Sequence, residues 1–280
     1  MTDSPRWALV TGASAGIGAA FARDLAAQGY ALVLTARRSE RLQSLAAELR
    51  QAYGTRCEIL PADLADPAAP ANLCAQLDAH GIGIDLLINN AGYGVPGTFD
   101  ASPWPRHADF IQVMMTAPTE LAHRLLPGMR ARGWGRIINV ASLAGLVPGT
   151  AAHTLYGASK AYLIHFSQSL GQENSARGVH VCALCPGFTW SEFHDVSGAR
   201  AQVARMPRWM WMDAARVVRE GLAAAERGDL VYVPGRINRG IKILFKLLPD
   251  RFALALIARR AHRFRVGADA SADQNSPREH

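Results

Sequence analysis

Tyr156 and Lys160 stand four residues apart in Tyr156-Gly157-Ala158-Ser159-Lys160, with Ser142 a short stretch upstream. The surrounding pattern predicts a helix over residues 153–177, on which a spacing of four puts the phenol and the ammonium on one face, one turn apart. A nearby ammonium favours phenolate over phenol and lowers a pKa that starts at about 10. A tyrosine tuned in this way hands a proton to a carbonyl oxygen, or takes one from an alcohol, near neutral pH. Tyr and Lys four apart occur on many surface helices, so the pair gains its weight from a second pattern in the same chain.

That pattern is Thr11-Gly12-Ala13-Ser14-Ala15-Gly16-Ile17-Gly18, placed where an apolar run, Trp7–Thr11, gives way to a helical one. Glycines there permit a tight turn and close approach of the backbone to a pyrophosphate, while the helix start offers free N–H groups and a positive dipole end. Gly12, Ser14, Ala15, Gly16, Ile17 and Gly18 are therefore assigned to a nucleotide-phosphate loop. The second apolar run ends in Leu34-Thr35-Ala36-Arg37-Arg38, with no acid before Glu40. A carboxylate at that strand end would bind a ribose 2′-hydroxyl and repel a 2′-phosphate. Arg37 and Arg38 instead favour the phosphate, so NADP(H) is expected over NAD(H). Asp63 and Leu64 follow the third apolar run, where they could cap a helix or touch adenine. Asn89-Asn90-Ala91-Gly92 follows the fourth, at the sheet edge where ligands of open α/β folds bind.

These residues need a frame, and the chain supplies one. Strand-like runs at Trp7–Thr11, Ala31–Thr35, Cys57–Leu60, Leu86–Asn89, Arg136–Val140, Val179–Cys185 and Leu230–Val233 alternate with helical stretches at 16–28, 39–52, 67–79, 107–131, 153–177 and 213–227. Continuously apolar strands alternating with helices predict a doubly wound parallel sheet covered on both faces. At 280 residues, 49% hydrophobic and 19% charged, the chain is an ordinary globular one with no apolar run long enough to span a membrane. No signal peptide is visible ahead of Trp7, and a reducing cytoplasm is expected. Of the four cysteines, Cys182 and Cys185 form a C-x-x-C, but within a strand a separation of three turns their side chains to opposite faces. Buried thiols are expected there, with no redox or metal site.

Together these motifs resemble the short-chain dehydrogenase/reductase family over residues 6–235: Thr11–Gly18, Asp63, Asn89–Gly92, Ser142, Tyr156–Lys160 and Pro186-Gly187. The resemblance implies one Rossmann-type domain, three layers around a seven-stranded, mostly parallel sheet, with a helical extension at the C-terminus. It implies hydride transfer between a nicotinamide and a carbonyl or alcohol carbon. Tyr156 is then the general acid/base, Lys160 its pKa partner and a holder of the nicotinamide ribose, and Ser142 the donor to the substrate oxygen. Asn90, Ala91, Gly92, Tyr156, Lys160, Pro186, Gly187 and Thr189 would join the cofactor set, with Thr189 reaching the carboxamide. A homodimer or homotetramer is expected.

One position departs from the family pattern. Counting back from Leu126-Pro127-Gly128-Met129, the place of the asparagine that completes the family's catalytic tetrad falls on Met114, with Gln112 the nearest amide. In the family that asparagine helps hold a water linking the lysine to solvent, and a thioether is a weak acceptor and no donor. The expectation is a slower proton relay, or a water held by another group. The alternative function is a cofactor-bound sensor or scaffold of the same fold with little catalysis.

Residues 188–212 carry Phe188, Trp190, Phe193, Met206, Trp209, Met210, Trp211 and Met212 after the Pro-Gly pair. An aromatic and methionine lid implies an apolar or aromatic ketone or alcohol. Ser142, His153, Phe188, Trp190 and Phe193 are assigned to the substrate pocket, with His194 considered at its mouth. The net charge of +7 is concentrated in residues 236–265, where nine Arg and Lys face only Asp250. The domain is accordingly read as a catalytic body over 1–235, a basic amphipathic extension over 236–266 broken at Pro249, and a polar tail over 267–280. The stretch 238–264 is read as a membrane contact, a subunit interface or a flap. Nucleic-acid binding is not expected, since no binding motif accompanies the charge.

Overall fold

The computed structural model describes residues 5–95, 97–190 and 207–257. Phe193, His194, Met206 and the tail from 267 onward lie outside the described residues. Seven strands, β1 (Trp7–Thr11), β2 (Ala31–Thr35), β3 (Cys57–Ile59), β4 (Ile84–Asn89), β5 (Gly135–Val140), β6 (Val179–Leu184) and β7 (Val231–Tyr232), form one sheet in the order 3-2-1-4-5-6-7. Every neighbouring pair is parallel. The strands are buried along nearly their whole length because helices cover both faces.

Side chains alternate between two large cores. Val10, Leu34, Ile88, Ile138 and Leu184 point to one face, against helices α1 (Gly16–Ala27), α2 (Ser39–Tyr53) and the later helix Ala214–Arg227. Leu9, Val33, Leu87, Ile137 and Val181 point to the other, against α3 (Ala69–Ala79) and the helix Ala117–Ala131. Cys182 belongs to the first core, whereas Cys185 belongs to a smaller cluster with Leu163 and Ile164, so the C-x-x-C thiols do face opposite sides. All four cysteines are free and buried.

The helical run 107–131 is not one α-helix. It divides into α4 (Trp104–Ile111), a π-turn over Gln112–Thr116 and α5 (Ala117–Ala131). Pro118 is the cause visible in the sequence: it has no N–H to give the Met114 carbonyl four residues back. The chain instead closes the wider ring, with Ala117 N–H donating to Gln112 O.

Downstream, α6 (Thr154–Asn174) precedes β6, and α7 (Ala214–Arg227) starts at Asp213, whose carboxylate accepts from Arg216 N–H at 3.3 Å. Helix α8 (Arg236–Leu247) ends ahead of Pro249, and 250–257 are helical again. The start of this basic extension is bound to the body: Asn238 is buried, donates to Pro234 O at 2.9 Å and packs against Gly187.

Candidate active site

Strands β1 and β4 are neighbours whose crossovers leave in opposite directions, and their C-terminal ends open a crevice. Thr11 ties the two ends together. Its hydroxyl donates to Ile88 O at 3.1 Å and accepts from the N–H groups of Asn90 and Ala91 at 2.9 and 3.0 Å. Asn90 returns the contact, donating from Nδ2 to Thr11 O and Gly12 O. The glycines are needed where the loop is tightest. Gly12 sits at φ +65°, and a Cβ there would stand 2.9 Å from Ala91 Cα, while one on Gly18 would strike the Gly12 carbonyl. No side chain caps α1 at Ala15, so its first N–H groups face the crevice as anion donors. This cradle fits the pyrophosphate of a dinucleotide.

At the rim, Arg38 donates from Nη2 to Ser14 Oγ at 3.1 Å, which links the end of β2 to the phosphate loop. Arg37 is exposed beside it, near Tyr93. Asp63 caps its own turn, accepting from Ala65 N–H at 3.1 Å, and does not cap α3, which starts later at Ala69. Leu64 is buried in the core under the crevice.

Ser142 lies two residues beyond β5. Its Oγ accepts from Ala144 N–H at 3.1 Å and opens a 3₁₀ turn over Leu143–Leu146. That turn lies directly on α6. A Cβ on Gly145 would be 2.6 Å from the Lys160 carbonyl carbon, so only glycine allows the approach. Ser142 thereby reaches the Tyr156 phenol and hydrogen-bonds it. Lys160 is buried, donates from Nζ to Val140 O at 2.7 Å and stands 5.8 Å from the centroid of the Tyr156 ring.

The electrostatics differ from the expectation drawn from spacing alone. Burial pushes the Tyr156 phenol upward, and the opposing pull comes from the Ser142 hydrogen bond, not from the ammonium. Lys160 is itself lowered to about 8 by burial, so both members of the pair are drawn toward their neutral forms. The reason is depth: desolvation acts on both groups, while Nζ is turned toward Val140 O. His153, just before α6, is half-buried and lowered by that burial.

The Pro186-Gly187 turn completes the wall. Leu143 N–H donates to Pro186 O at 2.9 Å, fixing the serine turn to it. Thr189 is buried and its hydroxyl donates to Gly187 O at 3.2 Å. Beyond it the chain pairs with a later segment through Met212 N–H to Phe188 O and Trp190 N–H to Met212 O. That pairing brings Trp211 against both Trp190, stacked at 4.2 Å between centroids, and Phe188, at 5.6 Å. Met212, expected in the lid, is buried instead beside Gly235 and Asn238. Trp209 is 63% exposed.

Met114 is buried against Gly92 and, together with Lys160, lines a small cavity behind the catalytic face. Gln112 Nε2 is buried without a hydrogen-bond partner, away from that lining. Three further residues support the site from behind. Thr11 was readable as the residue opening the glycine turn, whereas Asn139 and Ser167, whose side chains meet 28 residues apart, carried no local signal.

The model of the family described as short chain dehydrogenase matches residues 6–201. A nodulation protein G of Rhizobium sp. is 36% identical over 244 residues, covering 85% of this chain and 98% of its own. A very-long-chain 3-oxoacyl-CoA reductase of Laccaria bicolor is 35% identical over 203 residues, 71% of this chain, which spans 59% of that longer protein. Among solved structures, a short-chain dehydrogenase from Sphingobium yanoikuyae in complex with NADPH superposes with a TM-score of 0.76 at 33% identity, covering 87% of this chain and 96% of that one.

Proposed function

The chain belongs to the short-chain dehydrogenase family, and from that premise we propose that it moves hydride between NADP(H) and the carbonyl or secondary-alcohol carbon of an apolar substrate. The observation that carries the reading is the convergence of Ser142, Tyr156 and Lys160 on one face beside an uncapped, glycine-lined helix start. When bound, the nicotinamide supplies or accepts the hydride. The chain's own residues handle the proton and the charge. Tyr156 gives its phenolic proton to the carbonyl oxygen in reduction and takes it back in oxidation. Ser142 donates to the same oxygen as charge grows there. Lys160 places a positive charge behind the phenol in its protonated form.

Three features support the finer parts. The pair Arg37 and Arg38, with no acid at the end of β2 and Arg38 reaching Ser14, favours a 2′-phosphate. Phe188, Trp190 and Trp211 form an aromatic wall after the Pro-Gly turn, which suits an apolar or aromatic ketone. The similar fungal reductase, by its name, acts on a very long acyl chain, in keeping with such a wall. Helix α8 exposes Ile237, Leu244 and Leu247 beside Arg239, Lys242 and Lys246. This face supports either the expected homo-oligomer or a peripheral contact with anionic lipid. Liposome co-sedimentation of the full chain, with light scattering of the free protein, separates the two.

The test of the main reading is NADPH oxidation with a panel of apolar ketones. Turnover that Tyr156→Phe abolishes supports it. Silence across the panel in a folded, NADPH-binding protein returns the chain to the sensor or scaffold reading.

A further inference from the structure

The cavity behind Lys160 is lined by Thr11, Asn89, Met114, Pro118 and Val140, among others, and leaves about 10 Å³ for the centre of a water molecule. That is close to the smallest space one buried water needs, provided it also finds polar partners. The side chains of the lining offer two. Asn89 is 5% exposed and its Oδ1 is buried with no hydrogen-bond partner. Lys160 Nζ spends one N–H on Val140 O and has others to give. The Thr11 hydroxyl already makes three bonds and is not available.

Hydrogen-bond direction decides which end of the Asn89 amide faces the cavity. Ser167 Oγ donates its single proton to Leu163 O at 2.7 Å, so it accepts from Asn139 Nδ2 at 2.8 Å. Asn139 Oδ1 then accepts from Asn89 Nδ2 at 2.9 Å, and the second Nδ2 proton goes to Pro118 O at 3.1 Å. Reversing Asn89 would set its carbonyl against two acceptors. Oδ1 is left as the acceptor on the cavity side, and a buried acceptor left unpaired is costly.

We propose that one water bridges Lys160 Nζ and Asn89 Oδ1 in this cavity, which makes Asn89 a positioning residue for Lys160. The bridge does for the lysine what an amide at position 114 would do, and Met114, with only a thioether, serves as the apolar wall that confines the water. Asn89 acts without touching substrate. It solvates a buried ammonium through the water and fixes the position of Nζ behind the Tyr156 ring. The other titratable groups facing Lys160 are Tyr156 and Cys185. The inference rests on the reading of Lys160 as part of the site, so its first tests are made on the free protein.

A high-resolution crystal structure of the free full chain should show a water within about 2.7–3.2 Å of both atoms. A dry cavity, or Oδ1 bonded to protein, overturns the proposal whatever the enzyme turns over. In Asn89→Leu, NMR of labelled lysine should place the Lys160 titration lower than in the parent, because the ammonium has lost a solvating partner. Adding Met114→Asn to Asn89→Leu should move it back. In turnover, Asn89→Leu lowers kcat about tenfold with an enlarged solvent isotope effect, short of the 10²–10⁴-fold that a general acid contributes. Met114→Asn alone should bring no gain in kcat, because the bridge already does what that amide would do. A marked gain from that single change would show the parent site lacks the bridge, and should Asn89→Leu fail to fold, the crystal structure and this variant still decide.

Discussion

Lys160 Nζ donates to the carbonyl of Val140, the last residue of β5, two residues before Ser142. One main-chain turn therefore sets both partners of Tyr156: the serine that hydrogen-bonds its phenol and the lysine that lies behind its ring. A shift of that turn disturbs the whole proton-handling group at once.

Ser142→Ala should separate the two electrostatic influences on Tyr156. Burial raises the phenol and the Ser142 bond lowers it, so loss of the hydroxyl leaves burial unopposed and the phenol rises further. Oxidation of an alcohol needs phenolate, so its rate should climb with pH along a limb displaced to higher pH in the variant. The pH profile of kcat/KM for alcohol oxidation checks this; a limb that stays in place assigns the titration to another group.

Gly145→Ala should act through geometry. The added methyl would meet the Lys160 main chain at 2.6 Å, with backbone and not a flexible side chain in the way. Overpacking of this kind costs about 1–3 kcal/mol, and the serine turn must lift from α6. A lowered melting temperature together with a loss of kcat is expected, with NADPH affinity little changed because the phosphate loop lies elsewhere.

Arg38→Ala should discriminate between cofactors. Arg38 stands at the end of β2 and holds Ser14 of the phosphate loop. Loss of a charge-assisted contact worth about 1.4 kcal/mol raises the NADPH KM about tenfold and leaves NADH nearly untouched. Steady-state kinetics with both cofactors measures the ratio; equal losses would mean that Arg38 shapes the loop and does not read the phosphate.

The C-x-x-C thiols should be inert in the native protein. Burial pushes Cys182 and Cys185 up to about 12, so at pH 8 the reactive thiolate is about one part in ten thousand. Thiol-specific reagents should label neither residue until the chain is unfolded in denaturant. Rapid native labelling of either would contradict their place in separate cores on the two sides of the sheet.

Much of this protein is local physics, and local physics is written in the sequence. The spacing of Tyr156 and Lys160 follows from the helical period. The glycine turn follows from backbone approach, and the apolar runs of the strands from burial on both faces. Other features come from residues far apart in the chain. Depth, not the neighbouring ammonium, dominates Tyr156 and Lys160, because burial depends on everything packed around them. Trp211 joins Phe188 and Trp190 only because the two segments pair, while Met212 leaves the lid for the core beside Asn238. The direction of the Asn89 amide was beyond any pattern in the sequence. It is dictated by a chain of hydrogen bonds through Asn139 and Ser167, 50 and then 28 residues away, and only tertiary packing brings those side chains together.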